Sequence, residues 1–484
     1  MRHALIATVM VLSIGCSDGS ATQPNILLIT LDTTRADYLS TYGFEGGKTP
    51  NFDGLADAGI RFDQAISASG VTPVSHASIL TGLFPYRHGL RVLSAASGFR
   101  LPEHAPTLTT WLKEAGYSTG AVLSAFPVSD YFGFERDFDL FEGPGGSMKS
   151  EKSWDVRGLQ RRSDETTDLA LEFTRDADKP FFLWIHYWDP HDPFLKPPDK
   201  FVEGVPRKWP NDAWYAAEVR YVDAQFGRLV RGLKRQGVWR DTLVAVTADH
   251  GEGLSDGKER HGWHGHRMVY QEQVRVPLIL RIPRGERGVT VPDLVRTVDI
   301  VPTLLDYAGL EVLDNLDGLD GRSLRDLVEG TPGPRRVAYA DQINGYDLNA
   351  TMIEDHPEAA FLYCLIDRNW KLTYRPHMRE KSELYDLDDD PEERTNLFKM
   401  RPEIVRRLLT DLAKRRPWVL EPFVADGTQD PAAMEALTAL GYAPADGTDT
   451  DQEWSWTCPI HPDAREPTPG MHADCGGRLV PIAN

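Results

Sequence analysis

Residues 25–32 read N-I-L-L-I-T-L-D, a continuous apolar run that ends in an acid. Residues 181–192 (F-F-L-W-I-H-Y-W-D-P-H-D) and 243–252 (L-V-A-V-T-A-D-H-G-E) follow the same design. Continuous apolar runs of this length are typical of strands buried on both faces of a parallel sheet. Helical periodicity separates them, at residues 107–114, 164–175 and 214–236. The alternation predicts an α/β fold, a doubly wound and mostly parallel sheet with helices on both faces.

Acidic and imidazole side chains follow these runs, where the strands of such a sheet present ligand sites. Asp32, Asp249 and His250 are the strongest candidates. Together with one hydroxyl they make a hard-to-borderline site for a single divalent cation, which could be Ca, Mg, Mn or Zn. Taken singly, Asp32 could be a turn former and His250 a buried structural histidine, but their joint placement at strand ends favours a metal site.

Residues 71–82 read V-T-P-V-S-H-A-S-I-L-T-G and supply the hydroxyl. We predict a turn at Thr72-Pro73 and a helix over residues 75–83. This arrangement directs the Thr72 hydroxyl toward the positive end of a helix, where an anion also binds. A neighbouring cation would lower the pKa of the hydroxyl and neutralise charge on the transferred group, so Thr72 is predicted to be both metal ligand and nucleophile.

Histidines are concentrated just downstream, and four lie within residues 250–266. The segment H-G-W-H-G-H at 261–266 alternates with glycines that let a loop approach a ligand closely. These rings could bind a sulfuryl or phosphoryl group or act as general acid, and the alternative is a plain surface loop. We favour His264 as the acid. His191, in D-P-H-D-P-F, is the second candidate, whereas His186 is expected to be a core residue.

The ordered segments L-D-T-T-R-A-D-Y-L-S-T-Y-G (31–43), V-T-P-V-S-H-A-S-I-L-T-G, D-P-H-D-P-F, A-D-H-G-E and R-V-P-L-I-L resemble the motifs of the sulfatase branch of the alkaline phosphatase superfamily, across about residues 25–442. The resemblance implies one divalent cation and hydrolysis of sulfate or phosphate-type esters through a covalent intermediate. Thr72 stands where sulfatases carry the cysteine that becomes formylglycine. His76 stands in place of their arginine and is predicted to bind substrate. His266, from the histidine-rich loop, is predicted to bind substrate as well.

The departures from the sulfatase pattern remove cationic contacts. Thr33 replaces a second aspartate, and L-S-A-F at 123–126 replaces a Lys-x-His. The remaining set is similar to the single-metal site of lipoteichoic acid synthases and phosphoethanolamine transferases, which use threonine on phosphodiesters. Nucleotide pyrophosphatases use threonine with two metals, and a second metal here would need Asp189 or Asp192 with two histidines. A phosphodiesterase or phosphoryl transferase, and an inactive binding protein with a metal-capturing tail, remain alternatives.

Net charge and the N-terminus indicate the surroundings of the protein. A formal charge of −19 argues against nucleic acid as a partner. Residues 1–15 read as a signal peptide ending in a lipobox-like L-S-I-G-C, which predicts a lipid on Cys16 and a tether over residues 16–24. We expect an exported protein, anchored to the outer membrane of a Gram-negative cell and facing the periplasm or the cell surface. The alternative is a plain secretory signal.

The remaining chain divides into a catalytic domain (25–334), a C-terminal subdomain (335–442), a linker (443–453) and a Cys/His tail (454–484). The tail resembles the C-P-M-H-P heavy-metal-binding module of copper efflux proteins. Its C-x2-H and H-x2-C pairs are predicted to close a tetrahedral site, and with few soft ligands that site favours zinc over Cu(I). An unliganded tail is the alternative. The four predicted ligands are Cys458, His461, His472 and Cys475.

Overall fold

The computed structural model describes most of the chain from Pro24 onward. The described residues are 23–46, 48–92, 100–144, 159–191, 195–203, 212–310, 318–331, 333–346, 356–415, 417, 454–457, 465–466 and 480–483. The predicted signal peptide with Cys16, Asp192 of the optional second metal site, and the tail ligands Cys458, His461, His472 and Cys475 lie outside them. Within the described residues, no helix is both long and apolar enough to cross a bilayer.

One eight-stranded sheet forms the centre of the larger domain, in the order β4-β3-β5-β1-β6-β7-β2-β8. Only β7 runs antiparallel to its neighbours β6 and β2, which confirms the predicted α/β fold with a mostly parallel sheet. The strands are β1 (Asn25–Leu31), β2 (Ile60–Ile66), β3 (Ser118–Val122), β4 (Leu140–Glu142), β5 (Phe181–Tyr187), β6 (Thr242–Ala248), β7 (Arg275–Arg281) and β8 (Val289–Arg296).

The three diagnostic apolar runs are neighbouring strands in this sheet. β1 lies between β5 and β6, and every residue of the three strands is buried, as expected for strands covered on both faces. Leu31 pairs with both Tyr187 and Ala248. The register therefore brings the residues that follow the three strands to one edge of the sheet.

Helices pack in two groups around the sheet. Helices α1 and α5 each contact α7, and α2, α4 and α10 contact one another. The helices are α1 (Pro50–Asp57), α2 (Thr72–Thr81), α3 (Pro85–His88), α4 (Leu108–Glu114), α5 (Ser163–Asp176), α6 (Asp199–Val202), α7 (Asp212–Arg235), α8 (Ser255–His261), α9 (Gln271–Val274), α10 (Ile300–Tyr307), α11 (Arg325–Val328) and α12 (Pro402–Arg415).

Helix α2 begins earlier than its sequence pattern suggested. Thr72 is its first residue instead of lying in a preceding turn, and Gly82 ends it in a left-handed conformation at φ 67°. Pro73 is compatible with the first turn because the first N–H groups of a helix have no intrahelical partner, and its fixed φ suits a helix. The nucleophile candidate is therefore part of the helix terminus itself.

A second, antiparallel sheet has the strand order β12-β11-β10-β9. Its strands are β9 (Val337–Gln342), β10 (Leu362–Asp367), β11 (Trp370–Tyr374) and β12 (Glu383–Asp386), and α12 packs on β10 and β11. Near the C-terminus, three short strands pair in the order β14-β13-β15, namely β13 (Trp454–Thr457), β14 (Arg465–Glu466) and β15 (Val480–Ala483).

Candidate active site

Three of the four predicted protein ligands of the metal converge at the edge of the large sheet. Asp32 directly follows β1, and Asp249 and His250 directly follow β6. One ligand atom from each lies within 4.8 Å of the others, and all three side chains are buried. Adjacent parallel strands in register are the reason, since their carboxyl ends meet at the same place.

The two carboxylates each leave one buried oxygen without a hydrogen-bond partner, Asp32 Oδ1 and Asp249 Oδ2. The other oxygen of Asp249 accepts the backbone N–H groups of Thr33 (3.1 Å) and His250 (2.7 Å). Burial and the neighbouring carboxylates Asp249 and Glu252 raise the pKa of Asp32 well above its usual value. Buried acids with unpartnered oxygens at close range need positive charge, so this donor set fits a divalent cation.

The Thr72 hydroxyl faces this cluster from the first turn of α2. Its Oγ1 lies 3.3 Å from Nε2 of His250. Nδ1 of His250 lies 2.9 Å from the Gly251 carbonyl and must be the protonated nitrogen, because a carbonyl can only accept. Gly251 lies so close to α9 that a Cβ there would come within 2.1 Å of the Glu272 carbonyl oxygen. The loop therefore holds the lone pair of Nε2 toward Thr72 and the carboxylates.

His76 lies behind the helix terminus and not in the substrate space. Its Nδ1 donates to the Thr72 carbonyl at 2.7 Å, and its Nε2 lies 3.0 Å from the Thr30 hydroxyl. That hydroxyl in turn accepts the indole N–H of Trp184 at 3.0 Å. Burial lowers the pKa of His76 to about 3, so the ring is neutral. The prediction that His76 binds substrate does not match this placement, because both ring nitrogens already have intramolecular partners.

His186 is the buried strand residue that was expected, but it has a contact that the strand pattern does not reveal. Its Nε2 lies 3.0 Å from Asp32 Oδ2, across the β1–β5 pairing. Thr30 and His186 are register partners, and Asp32 follows Thr30 by two residues. The sequence signal for this contact was a histidine in β5, the strand that pairs with β1, close to the predicted ligand Asp32.

Two further imidazoles, His266 and His191, lie beside the ring of His250. The ring of His266 lies 5.2 Å from that of His250 and 5.1 Å from that of His191, which stacks on Trp188 at 3.9 Å. Burial, reinforced by neighbouring histidines and Arg267, lowers the pKa of His191 and of His266 well below the usual value. His264 is exposed at the surface. His266 is the histidine of this loop whose ring lies beside those of His250 and His191.

Two residues near His266 were not singled out from the sequence. Glu252 is buried with its Oε2 3.4 Å from His266 Nδ1, and burial raises its pKa to about 7. Arg267 is also buried, and its charge contributes to the lowered pKa of both His191 and His266. A cation therefore lies near the histidines, although the sulfatase-type arginine and lysine positions are lost.

The optional second metal has less support. Asp189 Oδ2 accepts the backbone N–H of Ser163 at 3.0 Å and also its hydroxyl, at the start of α5. Asp189, His191 and His266 do not form a set of three ligand atoms within 4.8 Å, and among the described residues the only such set besides the one at Asp32 is His261, Glu272 and Glu393.

Comparison with known proteins agrees with the fold and the motif order. The chain is 25% identical over 474 residues to an arylsulfatase of Clostridium perfringens, covering 80% of this chain and 94% of the relative. It is 25% identical to an N-acetylglucosamine-6-O-sulfatase of Bacteroides thetaiotaomicron, covering 78% and 83%. The structure of a phosphonate monoester hydrolase of Agrobacterium radiobacter superposes with a TM-score of 0.62 at 22% identity, covering 81% and 96%, and shares the fold.

Two family descriptions match the chain. The sulfatase description matches residues 24–310, more than half of the chain and all of the residues assembled at the sheet edge. The C-terminal description of N-sulphoglucosamine sulphohydrolase matches residues 259–417, which include the second sheet and α12. This protein therefore belongs to the sulfatase family.

Proposed function

We propose that this protein hydrolyses sulfate or phosphate-type esters, with Thr72 as nucleophile and one divalent cation held by Asp32, Asp249 and His250. The observation that carries the proposal is the convergence of the Thr72 hydroxyl with three buried ligand groups at a helix N-terminus. A bound cation would lower the pKa of the hydroxyl and neutralise charge on the transferred group. The names of the two sulfatase relatives support an ester of this class.

The chain's own groups account for both half-reactions. The Thr72 oxygen, its proton released to solvent, forms a bond to sulfur or phosphorus as the bond to the leaving oxygen breaks. The leaving oxygen takes a proton from His266 or His191, which are neutral in the free site and would first gain that proton beside the anionic substrate. Water then attacks the sulfur or phosphorus and regenerates the hydroxyl. A formylglycine hydrate can instead expel the group through its second hydroxyl. Threonine has no second hydroxyl, so attack by water or another acceptor is obligatory here.

A phosphodiesterase or phosphoryl transferase is the second candidate. The neutral ring of His76 replaces a fixed positive charge next to the nucleophile. Loss of that charge disfavours dianionic phosphate monoesters more than singly charged esters, among them phosphodiesters. The fold shared with a phosphonate monoester hydrolase is compatible with phosphorus chemistry. An inactive binding protein is less well supported, because buried unpartnered carboxylates cost stability without a ligand.

The decisive experiment compares turnover by wild type, Thr72→Ser, Thr72→Ala and Thr81→Ala. Thr81 is the matched control, since it carries a hydroxyl in the last turn of the same helix. Purified protein stripped of metal is assayed with Ca, Mg, Mn or Zn on aryl sulfate, aryl phosphate, aryl phosphonate and bis-aryl phosphate esters. We expect Thr72→Ala to lose at least about 10³-fold in kcat. Equal turnover by Thr72→Ala and wild type rejects the nucleophile, and no turnover on any ester with any metal favours the binding protein.

We also propose that the protein is exported and anchored through a lipid on Cys16, on the lipobox-like sequence before it. Metabolic labelling with a fatty acid should mark the wild type and not Cys16→Ser. For the tail, we propose a zinc site at Cys458, His461, His472 and Cys475, on the ligand spacing. Zinc content that does not change in the Cys458→Ser/Cys475→Ser double variant would reject that site.

A further inference from the structure

The Asp32 carboxylate has one donor fixed in a strand, and the Thr72 hydroxyl is a second neighbour whose hydrogen bond opposes the rise in the pKa of Asp32. Its Oδ2 accepts from His186 at 3.0 Å, while its Oδ1 has no hydrogen-bond partner and is buried. A carboxylate rotates about its Cβ–Cγ bond, whose two-fold torsion is broad. A donor that fixes one oxygen therefore decides the direction in which the other oxygen points.

His186 is well placed to be such a fixed donor. It lies inside β5, is fully buried, and pairs in register with Thr30 of β1. Its ring packs edge-on against His76 at 5.0 Å and lies 6.2 Å from Trp188. When Asp32 is ionised, as a cation ligand is, Nε2 carries the proton of this contact, because a carboxylate oxygen only accepts. The rigid strand thus presents one N–H to Asp32 in a single orientation.

The need for this donor follows from the residue after Asp32. Thr33 has no carboxylate to contribute, and its backbone N–H donates to Asp249. Asp32 is therefore the carboxylate that the β1 loop contributes to the ligand set. Asp32 and Asp249 also repel each other, which would turn an unsupported carboxylate away.

We propose that His186 is a positioning residue that holds Asp32 Oδ2 and so directs Asp32 Oδ1 toward the divalent cation, setting the affinity of the metal site. This inference rests on the proposed function only in assuming that a cation binds at Asp32, Asp249 and His250. Neighbours that orient metal ligands commonly change affinity by about 10–100-fold when removed. The expected defect is therefore in cation binding, with turnover at saturating metal less affected.

The test compares His186→Gln, which keeps an N–H donor, with His186→Met, which has similar length and no donor. His88→Met is the control, because His88 is also fully buried but its ring contacts Ser78 and the Leu90 N–H away from the ligands. The dissociation constant of Mn²⁺ is measured by calorimetry on metal-free protein, and thermal melting of each metal-free variant reports folding.

We expect His186→Met to weaken Mn²⁺ binding about 10–100-fold, His186→Gln to remain within a few-fold of wild type, and His88→Met to change melting but not affinity. Binding by His186→Met within two-fold of wild type, or equal losses in Gln and Met, overturns the proposal. If the wild type itself binds no divalent cation, the metal site of the proposed function is rejected together with this inference. If the wild type and His186→Met both bind the cation normally, only the positioning role of His186 is rejected.

A second measurement does not depend on the stability of His186→Met. In a crystal structure of the wild type with Mn²⁺, we expect the metal on Asp32 Oδ1 and the His186 contact on Oδ2. Coordination of the metal by both Asp32 oxygens, with His186 displaced, would overturn the proposal.

Discussion

The Nε2 atom of His250 lies 3.3 Å from the Oγ1 atom of Thr72, and the opposite ring nitrogen is committed to the Gly251 carbonyl. The ring therefore offers a lone pair to the space shared by the hydroxyl, Asp32 and Asp249. His250 thus has the geometry expected of a metal ligand next to the proposed nucleophile Thr72.

Replacing His250 with alanine should remove one of three protein ligands. We expect at least a tenfold weaker dissociation constant for the activating cation and a matching loss of kcat/KM at limiting metal. His104→Ala is the control, because His104 is exposed. Titration of metal-free protein with activity and calorimetry as readouts checks this, and unchanged metal affinity in His250→Ala would exclude His250 as a ligand.

His76 should act through Thr72 and not through the substrate. His76→Phe removes the donor to the Thr72 carbonyl and the ring nitrogen that contacts the Thr30 hydroxyl, at a cost of about 1–3 kcal/mol in unfolding free energy. We expect a lower kcat, a nearly unchanged KM, and partial recovery in His76→Gln. Denaturant unfolding and steady-state kinetics distinguish the two roles. A raised KM without loss of stability would restore the prediction that His76 binds substrate.

Asp189 should make the protein less stable as pH rises. Burial raises its pKa from 3.8 to about 7, so between these values the folded state retains a proton that the unfolded chain releases. Stability from this group is complete below about pH 4, falls up to about pH 7 and is constant above. Asp189→Asn stays neutral and should be more stable than wild type at pH 8, by up to about 4 kcal/mol for a change of about 3 pKa units at about 1.4 kcal/mol per unit.

Unfolding curves of wild type and Asp189→Asn at pH 5 and pH 8 measure that difference. The exposed Asp176 at the end of α5 serves as control, and Asp176→Asn should show no such gain. A gain for Asp189→Asn that is equally large at pH 5 would contradict the assignment, because it could not come from the titration of Asp189.

The C-terminal subdomain contains a buried ion pair whose separation should be costly. Lys371 Nζ lies 2.7 Å from Glu393 Oε1, and both side chains are fully buried. Lys371→Met leaves the carboxylate without its cation and should cost about 3–5 kcal/mol, and the double variant Lys371→Met/Glu393→Gln should recover most of the loss.

Chemical denaturation of the single and double variants checks this coupling. Arg394→Met is the control, because its pair with Glu392 is exposed and screened by water, and it should leave the unfolding midpoint almost unchanged. If the double variant is no more stable than Lys371→Met, the loss comes from packing and not from the unpaired charge.

The central strands of the large sheet were predictable from local sequence. Residues 25–31, 181–187 and 242–248 are continuous apolar runs of strand length, which favours strands buried on both faces of a sheet. All three are central strands. Because such strands run parallel and in register, Asp32, Asp249 and His250 could be expected at one edge. The family followed from the order of these motifs.

The roles of the individual histidines were not predictable, because they depend on contacts between residues far apart in the chain. His76 was assigned to substrate and instead supports Thr72, and His186 was assigned to the core and also contacts Asp32. Between His264 and His266, alternation with glycine gives no preference, and the turn of the loop places only His266 beside His250.

The sequence by itself thus determined the strands of the central sheet and the placement of Asp32, Asp249 and His250 at their ends, since these depend on apolar periodicity and residue identity. Only the tertiary structure decided which histidines form hydrogen bonds to Thr72 and Asp32. Hydrogen bonds such as that of His186 to Asp32, 154 residues away in the chain, form after the strands have paired. Their direction depends on register and burial, and no local pattern encodes either.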